Sequence, residues 1–251
     1  MSLFSKKIQS VLNDTDPQQI AFVTQHNNAL RYVSYANVHN DVENACKKLL
    51  GIGVKKGMTA AMRYTNDYEV VVLDLAMIVL GVRVFAIPET PSFSLVDFDG
   101  YYEVNFLIQS AEVSVNLDFL EAEKFTTLKA YMLHAEDIND IDLTITYVFG
   151  SGTTGRPKCI EIILDNCLND FQSFSNVFQI SKHDRFFVFL PLSVLQQRVM
   201  IYSTLLREGT VCLSNPQNMM QSIKQMKPTI FVAPPLLYET ICNGQVKLER
   251  F

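Results

Sequence analysis

The densest group of hydroxyl, glycine and lysine residues lies at 150–158, which reads GSGTTGRPK. The three glycines permit tight backbone turns and let peptide N–H groups come close to an anion. Ser151, Thr153 and Thr154 add hydroxyl donors, and Lys158 adds a positive charge. At the end of a strand in an α/β sheet, such a loop can hold a polyphosphate. A surface turn of small polar residues accounts for the composition equally well.

Two known phosphate-binding motifs share part of this spacing. Gly150 and Gly155 have the separation of a Walker A loop, but Arg156 and Pro157 stand where lysine and Ser/Thr should follow at once. Gly150-x-Gly152-x-x-Gly155 matches the dinucleotide fingerprint literally, but proline at 157 fits badly inside the helix that should begin there. Both motifs, and with them an unrelated P-loop NTPase, are disfavoured.

The rest of the chain alternates short β-branched runs with stretches of helical period, which predicts parallel β-α-β units. The fold predicted is α/β, with two packed α/β subdomains of largely parallel sheets at residues 1–140 and 141–251. The charge-rich segment 117–142 is interpreted as the surface connection between them. The predicted helices are 35–50, 67–80, 165–179, 194–208, 217–226 and the stretch from Pro234, and the predicted strands are 58–63, 82–88, 144–149, 159–164, 185–190, 210–213 and 229–233.

Charge and composition exclude several classes of protein. A net charge of −5 gives no electrostatic reason to bind nucleic acid or an anionic membrane. The longest apolar stretch, 70–84, contains Asp74 and Arg83 and is too short and too charged to span a bilayer. The N-terminus has no apolar segment of signal-peptide type. We therefore expect a cytoplasmic protein without a membrane span.

The cysteines and histidines do not form a recognisable metal or disulfide pattern. Five scattered cysteines without a CxxC pair are typical of reduced thiols in a cytosolic protein. The four histidines lack the spacing of a zinc site, so no protein metal site is expected. His183 and Asp184, which are adjacent, are interpreted as part of an exposed turn before a strand, not as a catalytic dyad.

Residues 151–158 resemble the signature loop of the adenylate-forming superfamily, (S/T)-S-G-T-T-G-x-P-K-G, which is found in acyl-CoA synthetases, luciferases and peptide-synthetase adenylation domains. The segment 35–67 is similar to the opening of that family, and 227–238 resembles a later stretch. FLPLS at 189–193 resembles its LPLSH segment, and the QRV at 197–199 is most like the long-chain acyl-CoA synthetases. The resemblance covers essentially the whole chain.

The resemblance implies a two-step reaction. A carboxylic acid, in the nearest relatives a fatty acid, attacks the α-phosphate of ATP with Mg²⁺ to give an acyl-adenylate and pyrophosphate. The thiol of coenzyme A, or of a carrier protein, then takes the acyl group. The loop would hold the β- and γ-phosphates, with Lys158 and Thr154 as catalytic residues and a binding set of Ser151, Gly152, Thr153, Thr154, Gly155 and Lys158.

The sequence also departs from the family pattern. Gly150 and Cys159 replace a hydroxyl residue and a glycine around the loop, Leu164 stands where a histidine is usual, and Val194 replaces the residue after LPLS. The family's later blocks, with the glutamate that holds Mg²⁺ and the C-terminal lysine, are not among these residues. We therefore expect the N-terminal part of such an enzyme, inactive alone and without Mg²⁺ ligands. The alternative is a catalytically inactive α/β module that binds a nucleotide or a partner.

Overall fold

The computed structural model describes residues 1–26, 29–88, 104–110, 120–124, 128–132, 142–150 and 158–242. The helices in this part of the chain are α1 Leu3–Asp14, α2 Tyr35–Gly51, α3 Tyr68–Leu80, α4 Leu168–Val177, α5 Leu195–Leu205, α6 Met219–Met226 and α7 Pro235–Cys242. The strands are β1 Ile20–His26, β2 Ala29–Ser34, β3 Thr59–Arg63, β4 Arg83–Ile87, β5 Phe106–Ser110, β6 Leu120–Lys124, β7 Leu128–Met132, β8 Ile145–Gly150, β9 Lys158–Ile163, β10 Arg185–Val188, β11 Thr210–Leu213 and β12 Ile230–Phe231.

Local signals fix the ends and faces of the helices. Helix α2 starts with a capping box, in which the N–H of Asn37 donates to Ser34 Oγ at 3.2 Å and the N–H of Ser34 donates to Asn37 Oδ1 at 3.3 Å. Its buried face carries the predicted helical period, with Val38, Val42 and Leu49 in the core. Helix α3 ends at Gly81, whose φ of +70° is the left-handed conformation that favours glycine.

The five-stranded sheet has the order β12-β10-β11-β1-β2. Its strands run parallel except β2, which pairs antiparallel with β1 at one edge. The seven-stranded sheet has the order β6-β7-β5-β3-β4-β8-β9. Its centre, β5-β3-β4-β8, is parallel, and the antiparallel pairs lie towards the edges.

One hydrophobic core joins the two sheets. It contains Phe22 and Phe186 from the five-stranded sheet, Met62 and Phe106 from the seven-stranded sheet, and the apolar faces of α1, α2, α3 and α5. Helix α3 is buried on nearly all sides, including Leu73 with no exposed surface. The predicted α/β fold with largely parallel sheets is confirmed.

Two features of the predicted organisation differ from the structure. The segment 117–142, predicted as a surface connection, contains the antiparallel pair β6 and β7 at the edge of the seven-stranded sheet. Leu128 and Ala130, two residues apart, are buried, which is the period of a strand with one face on the core. The charged residues around them made this apolar pattern hard to recognise in the sequence. Each sheet also takes strands from both sides of residue 140, so the division predicted there is not a division between the sheets.

Candidate functional site

The segment 150–158 joins two strands of the seven-stranded sheet. Strand β8 ends at Gly150, β9 begins at Lys158, and these two residues pair directly in antiparallel register. The strands predicted on each side of the loop are therefore confirmed. The predicted residues Ser151, Gly152, Thr153, Thr154 and Gly155 lie outside the described residues, as does the side chain of Lys158, so their phosphate-binding role stays a prediction.

The start of this loop is at the edge of the sheet where ligands usually bind. β8 runs parallel to β4, with Val84 opposite Thr146 and Phe85 opposite Tyr147, and β4 runs parallel to β3. The carboxyl ends of these three strands therefore lie at one edge, and Gly150 is the last residue of β8. Open α/β sheets bind their ligands outside the carboxyl ends of the strands.

Asn66 joins the carboxyl ends of the two sheets. It follows β3, and its Nδ2 lies within hydrogen-bond distance of the carbonyl oxygens of Phe189 (3.0 Å), Leu190 (2.9 Å) and Ser214 (2.8 Å). The N–H of Leu192 donates to Asn66 Oδ1 at 3.1 Å. Because Phe189 follows β10 and Ser214 follows β11, one amide side chain holds together three strand ends from both sheets.

Substituting Asn66 tests this junction. We expect Asn66→Ala to lower the free energy of unfolding by about 1–3 kcal/mol, because three carbonyl groups lose their donor. Asn66→Asp keeps the size of the side chain but places a negative charge opposite those carbonyls. We therefore expect Asn66→Asp to lower the free energy of unfolding more than Asn66→Ala does. Urea unfolding followed by circular dichroism measures both. An aspartate variant as stable as the wild type would contradict this account.

A buried ionic group lies beside β8, and we call it the Arg198 cluster: Tyr64, Asp74, Thr146, Arg198 and Tyr202. Arg198 is only 1% exposed, and its Nη1 lies 2.9 Å from Thr146 Oγ1, 3.3 Å from Tyr64 Oη and 3.6 Å from the Asp74 carboxylate. The hydroxyl groups of Tyr64 and Tyr202 donate to the two carboxylate oxygens of Asp74. The cluster thereby connects α3, α5, β8 and the end of β3.

The cluster keeps its tyrosines neutral and its arginine charged. Burial, reinforced by the Asp74 carboxylate, raises the pKa of Tyr64 and of Tyr202, so both hydroxyls stay protonated donors. Burial lowers the pKa of Arg198, but the surrounding tyrosines and Asp74 outweigh that effect and the pKa lies above its ordinary value. Nε and Nη2 of Arg198 are buried and make no hydrogen bond within the described part of the chain.

Sequence reasoning did not identify this cluster. Asp74 was noted only as an interruption of an apolar run, and Arg198 only as part of the QRV resemblance. A lone acid in the middle of a buried helix does predict a buried partner, because an unpaired buried charge is costly. The identity of that partner was not predictable, since Tyr202, for example, follows Asp74 by 128 residues.

His183 and Asp184 form a turn, as predicted. Asp184 accepts hydrogen bonds from the hydroxyl and N–H of Ser181, at 2.7 and 2.9 Å, and from the hydroxyl of Thr229 at 2.9 Å. Partial burial acts to raise the pKa of Asp184, but the hydrogen bonds from Ser181 and Thr229 outweigh it and lower the pKa. The carboxylate is thus used to anchor the start of β10.

Neither a metal centre nor a membrane helix is found in the ranges that the structure describes. No group of three or more His, Cys, Asp or Glu side chains there is arranged to hold a metal ion. Among the described helices, none combines the length and the apolar character needed to cross a bilayer.

Comparison with known proteins gives matches along almost the whole chain. The model of the family described as AMP-binding enzyme matches residues 13–250. The long-chain-fatty-acid–CoA ligase FadD15 of Mycobacterium tuberculosis is 22% identical over 267 residues, covering 91% of this chain and 43% of that ligase. The 2-succinylbenzoate–CoA ligase of Bacillus licheniformis is 24% identical over 225 residues, covering 79% and 44%. The chain thus spans less than half the length of these curated relatives.

Solved structures match the fold. The crystal structure of CmiS6 superposes with a TM-score of 0.79 at 18% identity, covering 96% of this chain and 60% of that one. The O-succinylbenzoate coenzyme A synthetase MenE from Bacillus subtilis, in complex with AMP, gives a TM-score of 0.74 at 19% identity, covering 96% and 64%. At these identities the similarity establishes the arrangement of helices and strands.

Proposed function

Since this chain belongs to the AMP-binding enzyme family, we propose that the protein carrying it activates a carboxylic acid with ATP and transfers the acyl group to a thiol. The observation that carries the proposal is the position of the two strand ends that flank the GSGTTGRPK sequence. Its ends pair at Gly150 and Lys158, at the carboxyl edge of the parallel strands β3, β4 and β8. A sequence rich in hydrogen-bond donors that connects strand ends at that edge suits the phosphates of ATP.

The proposed chemistry has two steps. A carboxylate oxygen forms a bond to the α-phosphorus of ATP, the bond from that phosphorus to the bridging oxygen breaks, and pyrophosphate leaves with the electron pair. A thiolate sulfur, of coenzyme A or of a carrier protein, then attacks the acyl carbon and AMP leaves. The reaction in this family uses Mg²⁺ to neutralise phosphate charge, and we assign none of its ligands to the described residues.

The loop residues are proposed to act on the departing pyrophosphate. The hydroxyls of Ser151, Thr153 and Thr154 and the ammonium of Lys158 are donors, and negative charge grows on the leaving phosphates as the bond breaks. Donors placed where charge develops are commonly the largest source of rate enhancement. We propose Thr154 and Lys158 as the catalytic pair, with Gly152 and Gly155 allowing the close approach of the backbone.

We propose a fatty acid as the first carboxylic acid to test. The support is the similarity to a long-chain-fatty-acid–CoA ligase. The sequence identity to a 2-succinylbenzoate–CoA ligase is about the same, so aromatic acids belong in the same test. The QRV residues add nothing to this choice, because Gln197 and Arg198 are each 1% exposed. Side chains so deeply packed inside the core do not select an acyl group by contact.

ATP–pyrophosphate exchange tests the proposal. We expect the intact protein that carries this chain to catalyse exchange with at least one acid in a panel of fatty and aromatic acids. We expect residues 1–251 alone to show no useful rate, because the family's metal-binding glutamate and C-terminal lysine lie in blocks not found among them. Robust exchange by residues 1–251 would contradict the second expectation. ATP binding without exchange in the intact protein would favour a catalytically inactive nucleotide-binding module.

A further inference from the structure

We propose that Arg198 is a positioning residue that holds β8, the strand leading into the 150–158 loop, in its place on the sheet. The inference rests on the function proposed above, because it assigns to the loop the work of binding phosphate. Arg198 itself is too deeply buried to touch a nucleotide, with 1% of its surface exposed. Its effect must therefore pass through the strand that it contacts.

The contact is made at the point where β8 is attached to the parallel part of the sheet. The described register between β8 and β4 consists of two pairs, Val84 with Thr146 and Phe85 with Tyr147. Thr146 Oγ1 donates to the carbonyl oxygen of Val84 at 3.2 Å and accepts from Arg198 Nη1 at 2.9 Å. One hydroxyl group thus ties β8 sideways to β4 and across the core to α5.

Thr146 lies on β8 four residues before Gly150, the end of the strand from which the loop starts. On its other side β8 pairs only with β9, through six residue pairs from Ile145–Ile163 to Gly150–Lys158. β8 and β9 are paired along their whole described length, and β4 is the strand that attaches this pair to the rest of the sheet. Thr146, 2% exposed, lies within that attachment, next to the buried Ile145.

The rest of the cluster keeps the guanidinium pointed at Thr146. Asp74 holds Nη1 from α3 at 3.6 Å, and the ring of Tyr64 lies under the guanidinium with 4.9 Å from Cζ to the ring centroid. Stability alone does not explain such a pair, since a buried ion pair is often no more stabilising than apolar side chains of the same volume. A charged pair with fixed geometry does restrict where β8 can lie.

Thr146→Val removes the hydroxyl and keeps the branched shape, whereas Thr146→Ser keeps the hydroxyl and serves as the conservative partner. In the intact protein we expect valine to lower kcat for ATP–pyrophosphate exchange about 10²-fold, the size of effect that a displacement of about 1 Å can have. The KM for the carboxylic acid should stay unchanged, and serine should restore most of kcat.

A second pair of variants separates positioning from stability. Arg198→Met leaves Asp74 buried without its cation, and adding Asp74→Asn removes that charge as well. We expect the double variant to regain much of the melting temperature lost by Arg198→Met, because the unpaired charge is gone. Its kcat should remain low, because the bond to Thr146 is still absent. A purely structural role predicts that kcat recovers together with the melting temperature, and that result would overturn the proposal.

Hydrogen–deuterium exchange gives a readout that does not depend on enzymatic activity. Backbone amides of β8 and β9 should exchange about five-fold faster in Thr146→Val, the change expected from one hydrogen bond of usual net strength, and at the wild-type rate in Thr146→Ser. Unchanged protection in the valine variant would overturn the positioning role. Failure of the wild-type protein to exchange pyrophosphate with any acid would instead remove the proposed function, and amide exchange would still decide whether Arg198 fixes β8.

Discussion

Replacing Lys158 with alanine is expected to slow acyl-adenylate formation by the intact protein about 10²–10³-fold, equivalent to roughly 3–4 kcal/mol of transition-state stabilisation. Thr154→Ala should have an effect of the same kind. Both side chains are proposed to face the phosphates, where charge shifts during bond breaking, so the affinity for the carboxylic acid should change much less. Pre-steady-state formation of pyrophosphate, measured over a range of acid concentrations, separates the two effects.

The matched control for this pair is Lys47→Ala. Lys47 is an exposed lysine of α2 whose ammonium lies 3.3 Å from Glu43, and an exposed pair of this kind contributes little to stability. We expect it to leave adenylation unchanged. Stability should change by less than about 0.5 kcal/mol in Lys158→Ala and Thr154→Ala, because the loop is made of small polar residues. Normal adenylation with a lowered melting temperature would show that the loop is a structural turn.

Arg198→Met is expected to lower the free energy of unfolding by about 3–5 kcal/mol. The substitution leaves the Asp74 carboxylate, 3% exposed, with the hydroxyls of Tyr64 and Tyr202 but without a neighbouring cation. Urea unfolding measured by circular dichroism gives the value, since the sequence contains no tryptophan to report by fluorescence.

Two comparisons make the result specific. Thr146→Val, which removes the two hydrogen bonds of one hydroxyl group and leaves both charges in place, should cost no more than about 1.5–3 kcal/mol. Asp74→Asn in the Arg198→Met background should recover part of the loss. A methionine variant no less stable than Thr146→Val would mean that the Asp74–Arg198 pair contributes no more than a neutral contact.

The elements that the sequence predicted well are those whose signals are local. Helix α2 has a capping serine, a regular buried face and a glycine near its end, and all three lie within 18 residues of sequence that can be read directly. Strands β8 and β9 were predictable because apolar runs flank a loop of glycine and threonine. The loop residues themselves were predicted from a match of residue types, and their geometry stays a prediction.

The features that were missed depend on contacts between distant parts of the chain. The strands β6 and β7 are rich in charge, and their place in the sheet depends on the pairing of β7 with β5. The joining of strands from both ends of the chain into the five-stranded sheet has no local signature. The sequence showed one member of the Arg198 cluster, an acid inside an apolar helix. Its partner Arg198 lies on a different helix.

The pairing of β1 with β11 has a consequence for how the protein is made. Thr210 Oγ1 donates to the carbonyl oxygen of Ile20 at 2.7 Å, across 190 residues of sequence. During synthesis the hairpin of β1 and β2 therefore leaves the ribosome long before its parallel neighbour exists. Until then β1 has an unpaired edge and the fully buried Phe22 has no complete core. Such long-range parallel pairing is slow to form, so we expect the five-stranded sheet to assemble late and the exposed edge of β1 to be open to wrong contacts until β11 has emerged.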